Sequence, residues 1–423
     1  MTNLNRLVLR GGAVFDGTGS EPYAADVVVE GRQIVAIGQG IEVGPADAVV
    51  DVAGCTVLPG MFDCHVHVLG IEPRLLDRLN EPFSYQFYNA AANLRRLVEC
   101  GITSARDCAG ADLGVKQAIE SGVIAGPRLQ ISITALSQTG GHMDGMTPSS
   151  NWVVPYYVPH PGRPDSIADG VTNVRKVVRQ SLRAGADFVK VLATHSGSAR
   201  SEKTRFNLAE LAAIGEEAAA QGVAVATHAY GSGPVKDALR TGSRSIEHVA
   251  DLDDEAIELF LETGAWLVPT LSLYRPHLDG DGPAEQRDRI GHQSDSRVDP
   301  RAKAELAFAS FRRAHEAGVR IAMGTDFGNR CGDNLAELSA MELGGMTPTQ
   351  ALLAATSSAA GLLGVADERG TLEVGKAADL VVVSGGVSAL GTLRERIRRV
   401  YQDGTLTFES TGAASAAEPA GRR

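Results

Sequence analysis

The chain has 423 residues, 43% of them hydrophobic and 22% charged, with a formal net charge of −11. That balance suits a globular enzyme and argues against a nucleic-acid or polyanion surface. No apolar run approaches ~20 residues, so no membrane span is expected, and Met1–Arg10 lacks the continuous apolar core of a secretion signal.

In chain order, the first segment alternates short strands with turn signals. Leu7–Leu9, Ala13–Phe15, Asp26–Glu30, Ile34–Ile37 and Val49–Val52 are broken by Gly11-Gly12, Asp16-Gly17 and Glu30-Gly31. The same texture returns near the other end, in Leu380–Val383 and in Val400–Phe408, with Asp403-Gly404 as a hairpin turn. Neither piece has enough strands to bury a core alone. One small β-sandwich assembled from both termini (residues 1–56 and 366–409) is therefore expected, with everything between inserted as one unit.

The middle, residues 57–365, alternates strand and helix. Candidate strands are Val57–Val66, Ile102–Asp107, Leu129–Ile133, Phe188–Leu192, Val223–Thr227, Ser245–Glu247, Trp266–Thr270 and Val319–Gly324. Amphipathic helices are expected over Asn89–Cys100, Ile167–Ala184, Leu208–Gln221 and Ala302–Ala317, with Gly101, Gly185, Gly222, Gly264 and Gly318 as C-terminal stops. Eight β–α steps of this kind describe an α/β fold of the (β/α)8 TIM-barrel type, with its chemistry at the C-terminal rim of the strands. The connections 135–165 and 271–300 are long enough to form lids or substrate walls. The stretch 410–423, rich in Ala, Ser, Gly and Pro, is expected to be disordered.

Metal-type residues close several of these strands. Asp63-Cys64-His65-Val66-His67 puts two imidazoles on one strand face, where neutral nitrogen donors suit zinc and similar ions. Cys64 has the opposite parity and is not counted as a ligand. In Asp187-Phe-Val-Lys-Val-Leu192, Val189 and Val191 would pack outward on helices, leaving Lys190 facing the interior. Beside two cations an ammonium is disfavoured, and the neutral amine can add carbon dioxide to become an anionic carbamate ligand. His228, His248 and Asp326 end three later strands; Asp326 would serve equally well as the N-cap of a following helix.

These residues, with the phrases Val57-Leu-Pro-Gly-Met-Phe-Asp63 and Gly370-Thr-Leu-Glu-Val-Gly-Lys-Ala-Ala-Asp-Leu380, resemble the amidohydrolase superfamily over roughly residues 5–408. The resemblance implies two divalent metal ions, zinc foremost: His65, His67 and Asp326 on one, His228 and His248 on the other, and carbamylated Lys190 bridging them. The strand-four lysine separates this binuclear type from mononuclear deaminases. Thr139-Gly-Gly-His142 and His228-Ala-Tyr230 are similar to the imidazolonepropionase-like branch, which contains Xaa-Pro dipeptidases and ochratoxin-type amidases. That likeness implies that His142 and Tyr230 polarise the scissile carbonyl and that Asp326 shuttles the proton. Thr194-His195-Ser196 and Gly-His142-Met-Asp-Gly depart from the commoner phrases of that branch.

The expected activity is hydrolysis of an amide in a dipeptide or N-acyl amino acid by a metal-bridging hydroxide. Alternatives are a cyclic amide, carbamate, urea or ester on the same centre, and, outside enzymes, a metal-free scaffold. His195, Tyr274 and His277 are candidate substrate contacts; Arg200, Lys203, Arg205 and Arg275 are candidates for a substrate carboxylate. His160, His292 and His315 read as ordinary polar residues, and Arg106-Asp107 as a structural ion pair. Five cysteines without close pairing (Cys55, Cys64, Cys100, Cys108, Cys331) point to reduced thiols and a cytoplasmic location. A small-molecule partner is expected, with no nucleic acid and no membrane, and the resemblance implies a homo-oligomer.

Overall fold

The computed structural model describes residues 6–70, 80–145, 155, 157–195, 204–248, 250–280 and 299–410. Residues 411–423 of the expected tail, and the central parts of both long connections, lie outside them.

Two sheets drawn from the chain's two ends form the small domain. One has the order Gln33–Gly38, Asp26–Glu30, Leu7–Arg10, Ala48–Asp51. The other runs Thr405–Glu409, Ile397–Gln402, Leu380–Ser384, Cys55–Pro59, Ala13–Val14, Tyr23–Ala24. Alternation along these strands turns Leu9, Val27, Val29, Ile34, Val57, Leu380, Val382 and Tyr401 into one shared core. Each such aliphatic side chain contributes about 1.5–3 kcal/mol by leaving water. The candidate strand Val57–Val66 is divided: Cys55–Pro59 pairs antiparallel with Leu380–Ser384, and Met61–Val66 starts the barrel. Gly60 is the joint. A Cβ there would stand 2.2 Å from Thr103 Oγ1, so only glycine lets the chain cross between the layers.

The barrel strands run parallel and alternate with helices packed outside them. The first is Met61–Val66 and the second Ile102–Asp107. The third comes in two pieces, Arg128–Ile131 paired with the second strand and Ala135–Leu136 paired with the fourth. Ile133, at φ 68°, turns the chain between them, which is why Leu129–Ile133 is not one continuous strand. The remaining strands are Phe188–Leu192, Ala224–Ala229, Ser245–His248, Trp266–Val268 and Arg320–Ile321. Beyond Ile321 the ladder gives way to single backbone bonds onto the first strand: Cys64 N to Met323 O at 2.9 Å, Asp326 N to His65 O at 2.7 Å and His67 N to Phe327 O at 3.0 Å. Gly324 permits that approach, since a Cβ there would lie 2.9 Å from His65 Cβ.

Outward positions of the fourth strand behave as their parity requires. Val189 and Val191 pack with Val174, Val177 and Val178 of helix Val171–Arg183, and with Leu211, Ile214 and Ala218 of helix Leu208–Ala220. Asn207 caps the latter helix in a reciprocal box with Glu210. Cys64 packs outward with Ala359, Ala360 and Leu362. No helix among the described residues is long and apolar enough to cross a membrane.

Candidate metal centre

Strand parity and two unusual backbone turns bring the candidate ligands together at the C-terminal rim. His65, His67, His142, Lys190, His228, Tyr230, His248 and Asp326 all line one cavity of about 120 Å³, together with Cys108, Met143, Tyr157 and Leu192. That volume accommodates the reacting group of a substrate and falls short of the roughly 300–1,000 Å³ of a whole small-molecule pocket. Asp326 Oδ1 lies 3.4 Å from His65 Nε2 and 3.0 Å from His67 Nε2. Ligand atoms of His65, His248 and Asp326 all fall within 4.8 Å of one another. The His228 and His248 rings are 4.6 Å apart, and the His142 and His228 rings 4.9 Å.

His248 and Asp326 both adopt left-handed backbone, at φ 78° and 59°. Such strain in non-glycine residues is held in place by its surroundings and gathers at functional sites. At His248 it breaks strand alternation, so that consecutive Glu247 and His248 both reach the interior. Among the described residues no helix begins at Asp326, which removes the N-cap reading.

Each first-strand imidazole is oriented by a partner on its other nitrogen. His65 Nδ1 meets Glu247 Oε2 at 2.8 Å, and His67 Nδ1 meets the Ala109 carbonyl at 3.1 Å. His248 Nδ1 meets Thr270 Oγ1 at 2.8 Å. Glu247 is fully buried and also accepts from Arg106 Nη2 at 2.7 Å and Ser245 Oγ at 2.6 Å. The ion pair of Arg106 is therefore with Glu247 across the barrel, a correction to its pairing with Asp107. Asp107 instead accepts the backbone N–H groups of Val68, Ala109 and Ala111. Asp63 accepts from His65 N, Thr325 N, Thr325 Oγ1 and Asn334 Nδ2, tying the first strand to the segment after the last.

The electrostatics suit cation ligands. Burial, reinforced by Lys190, holds the His65 imidazole well below the ordinary histidine range, and burial with His248 does the same to His228. Burial brings His248 down to about 4 against the pull of Asp326. His67 is raised, because its bond to Asp326 outweighs burial. Burial works against the Asp326 charge, yet His65 and His67 hold its carboxyl well below the usual carboxylate range. Neutral imidazoles at His65, His228 and His248 beside an ionised carboxylate are the donor set that divalent metals take. In the cavity wall, Lys190 Nζ and His228 Nε2 are buried without a hydrogen-bond partner. Burial of unsatisfied polar atoms is costly; a bound cation would satisfy His228 Nε2 directly, and Lys190 would meet it only through an added carbamate. These residues fit a metal centre.

The candidate substrate contacts are placed less uniformly. Tyr230 stacks on His248 at 5.3 Å and 11°, and its hydroxyl is hydrogen-bonded to that of Tyr274. Tyr274 is thus one step behind the cavity. His195 is buried beyond the fourth strand, and His277 sits in the short helix Arg275–Asp279; neither lines the cavity. Arg275 pairs with Asp279 at 3.5 Å. Arg200, Lys203, Ser196 and His292 lie outside the described residues. Sequence reasoning missed Glu247, Thr270, Tyr157 and Cys108. A visible signal existed for Glu247: two opposite charges, Arg106 and Glu247, stand mid-strand in a barrel with no solvent to serve them.

A model of the amidohydrolase family matches residues 56–409. Ochratoxinase of Aspergillus niger is 35% identical over 342 residues, covering 77% of this chain and 70% of that enzyme. An imidazolonepropionase of Cutibacterium acnes is 26% identical over 382 residues, covering 84% and 83% of the two chains. A crystal structure of a Xaa-Pro dipeptidase with methionine bound in its active site superposes with a TM-score of 0.82 at 29% identity, covering 96% of this chain and 100% of that one.

Proposed function

The chain belongs to the amidohydrolase family and is a hydrolase of carbon–nitrogen bonds, and from that premise we propose that it cleaves the amide of a dipeptide or an N-acyl amino acid at a binuclear metal centre. The observation that carries the reading is Lys190. Lys190 is 1% exposed and its ammonium position has no hydrogen-bond partner, in a cavity it shares with five imidazoles and Asp326. A structural lysine would have a carboxylate or a carbonyl there.

His65, His67 and Asp326 would hold one ion, His228 and His248 the other, and Lys190, as its carbamate, would bridge them. Zinc suits this donor set. Two such ions, when bound, make water acidic enough to act as a nucleophile at neutral pH and draw charge from a carbonyl oxygen.

The protein's own groups do the rest. Asp326, held ionised by its histidine neighbours, accepts a proton from the attacking water and returns it to the leaving amine, which departs neutral. His142 and Tyr230 donate to the carbonyl oxygen as it gains negative charge, one such donor being worth about 3 kcal/mol of the barrier. Tyr274 fixes the Tyr230 hydroxyl, and the stacked His248 ring fixes its plane. Glu247 and Thr270 keep His65 and His248 in the tautomers that leave Nε2 free to ligate. Cys55, Cys64, Cys100, Cys108 and Cys331 are free thiols, which supports a reducing, cytosolic setting.

Assaying Xaa-Pro dipeptides and N-acyl amino acids, with and without a chelator, tests the proposal. Turnover of at least one amide, abolished by the chelator and restored by zinc, is expected. Metal-loaded protein that hydrolyses none of them rejects the substrate class.

A further inference from the structure

One buried carboxylate outside the cavity is committed to a single turn of backbone. Glu337, on helix Ala336–Leu343, is fully buried. Its Oε1 accepts the Leu271 N–H at 2.7 Å and its Oε2 the Ser272 N–H at 2.7 Å. Those two amides open the 3-10 turn Leu271–Leu273 that follows the seventh barrel strand, and Tyr274 is its next residue. The turn cannot be held by its strand, which ends at Val268, and Thr270 before it sits at φ 50°. Three residues before Glu337, Asn334 donates to Asp63 Oδ2 at 2.7 Å, so the clamp is anchored to the strand that carries His65 and His67.

We infer that Glu337 is a positioning residue: it sets the Tyr274 hydroxyl, and through it the Tyr230 hydroxyl, against the cavity. The inference rests on the proposed role of Tyr230. Each oxygen of the carboxylate serves one N–H, a symmetrical demand that only an acidic side chain meets, because glutamine would present an NH2 group to one of the two donors. Burial lifts the Glu337 carboxyl to about 7, against the Ser272 side chain and the turn's two N–H groups, with the charge of Asp63 adding to the rise. Keeping an acid there therefore costs stability, and everything it receives in return is the placement of this turn.

The test is a double-mutant cycle with Glu337→Gln and Tyr274→Phe, measured on the dipeptide or N-acyl amino acid that the parent turns over fastest. Alongside it, zinc content and hydrogen exchange of the peptide spanning 268–275 are followed. Glu337→Gln is expected to lower kcat about tenfold in the parent and less than about twofold in the Tyr274→Phe background. KM and zinc content stay unchanged, and exchange accelerates in that peptide alone. Equal losses in both backgrounds, accelerated exchange across the whole barrel, or loss of zinc (which would route the effect through Thr270 and His248) would each overturn the inference. Should Glu337→Gln fail to fold, Glu337→Asp, which keeps the charge but cannot span both amides, is read in the same way; failure of both makes Glu337 a residue of the whole fold and also overturns it. A parent that hydrolyses no amide sinks the proposed function instead, and the exchange measurement still reads the clamp.

Discussion

Replacing Glu247 by glutamine separates two jobs that one buried carboxylate performs. The side chain is fully buried, and its partner Arg106 is 3% exposed, so the charge lost is one that water cannot replace. Burial works against the Arg106 cation and Glu247 outweighs it. Stranding a buried cation costs about 3–5 kcal/mol. Against the roughly 5–15 kcal/mol that hold a native protein together, that is about a fifth or more of the margin. His65 simultaneously loses the 2.8 Å acceptor that fixes its tautomer, and removal of such a support typically weakens metal binding about 10–100-fold. Urea unfolding of metal-free protein reads the first effect, and zinc titration against a chromogenic chelator the second. The double variant Arg106→Met/Glu247→Gln removes the stranded charge, so it should regain most of the stability while zinc binding stays weak. If Glu247→Gln unfolds within about 0.5 kcal/mol of the parent, or if the double variant binds zinc as the parent does, the reasoning fails.

Tyr230→Phe keeps the ring stacked on His248 and removes only the donor; it should lower kcat about 10²–10³-fold with stability little changed, as steady-state kinetics and thermal unfolding will show. Gly60→Ala drives a methyl group into Thr103 Oγ1 at the joint between barrel and sandwich, and should cost about 1–3 kcal/mol in denaturant unfolding. Glu217 accepts from Arg179 Nε at 2.8 Å and from Arg175 Nη1 at 3.0 Å, and these bonds hold its carboxyl down at about 2. A depressed carboxyl stabilises the fold above its unfolded value and loses that contribution as pH falls from about 4.5 to about 2. Glu217→Gln should therefore flatten the acid limb of the stability profile in that window, by no more than about 1 kcal/mol because solvent screens the pair.

What the sequence reveals best is parity. Val189 and Val191 are apolar because helices cover them, and that alone turns Lys190 inward; the spacing of His65 and His67 works the same way. The two-ended sandwich is equally visible, since neither terminal set of strands can close a core without the other. Features that depend on a partner distant in the chain stay hidden. The charges of Arg106 and Glu247 are each visible mid-strand, but nothing local pairs the two, and nothing local announces that His248 and Asp326 take left-handed backbone. The boundary at Gly60 is hidden because Val57–Phe62 carries no polar side chain on either side of it, although its halves serve different sheets. Helices such as Leu113–Glu120, Ser232–Arg240 and Asp254–Thr263 are short, and tertiary packing rather than a long amphipathic period sustains them. Thr270 and Tyr274 belong to a connection whose length shows in the sequence, while the carboxylate that shapes its first turn lies more than sixty residues downstream.

The account turns on Lys190 as a bridging ligand, and metal content tests it most directly. Parent and Lys190→Ala are stripped with chelator, reloaded with zinc and bicarbonate, and measured by elemental analysis beside amide turnover. The parent should hold about two equivalents of zinc, and Lys190→Ala should hold clearly fewer and turn over nothing. A variant that binds the full parental complement and hydrolyses at the parental rate would contradict the account.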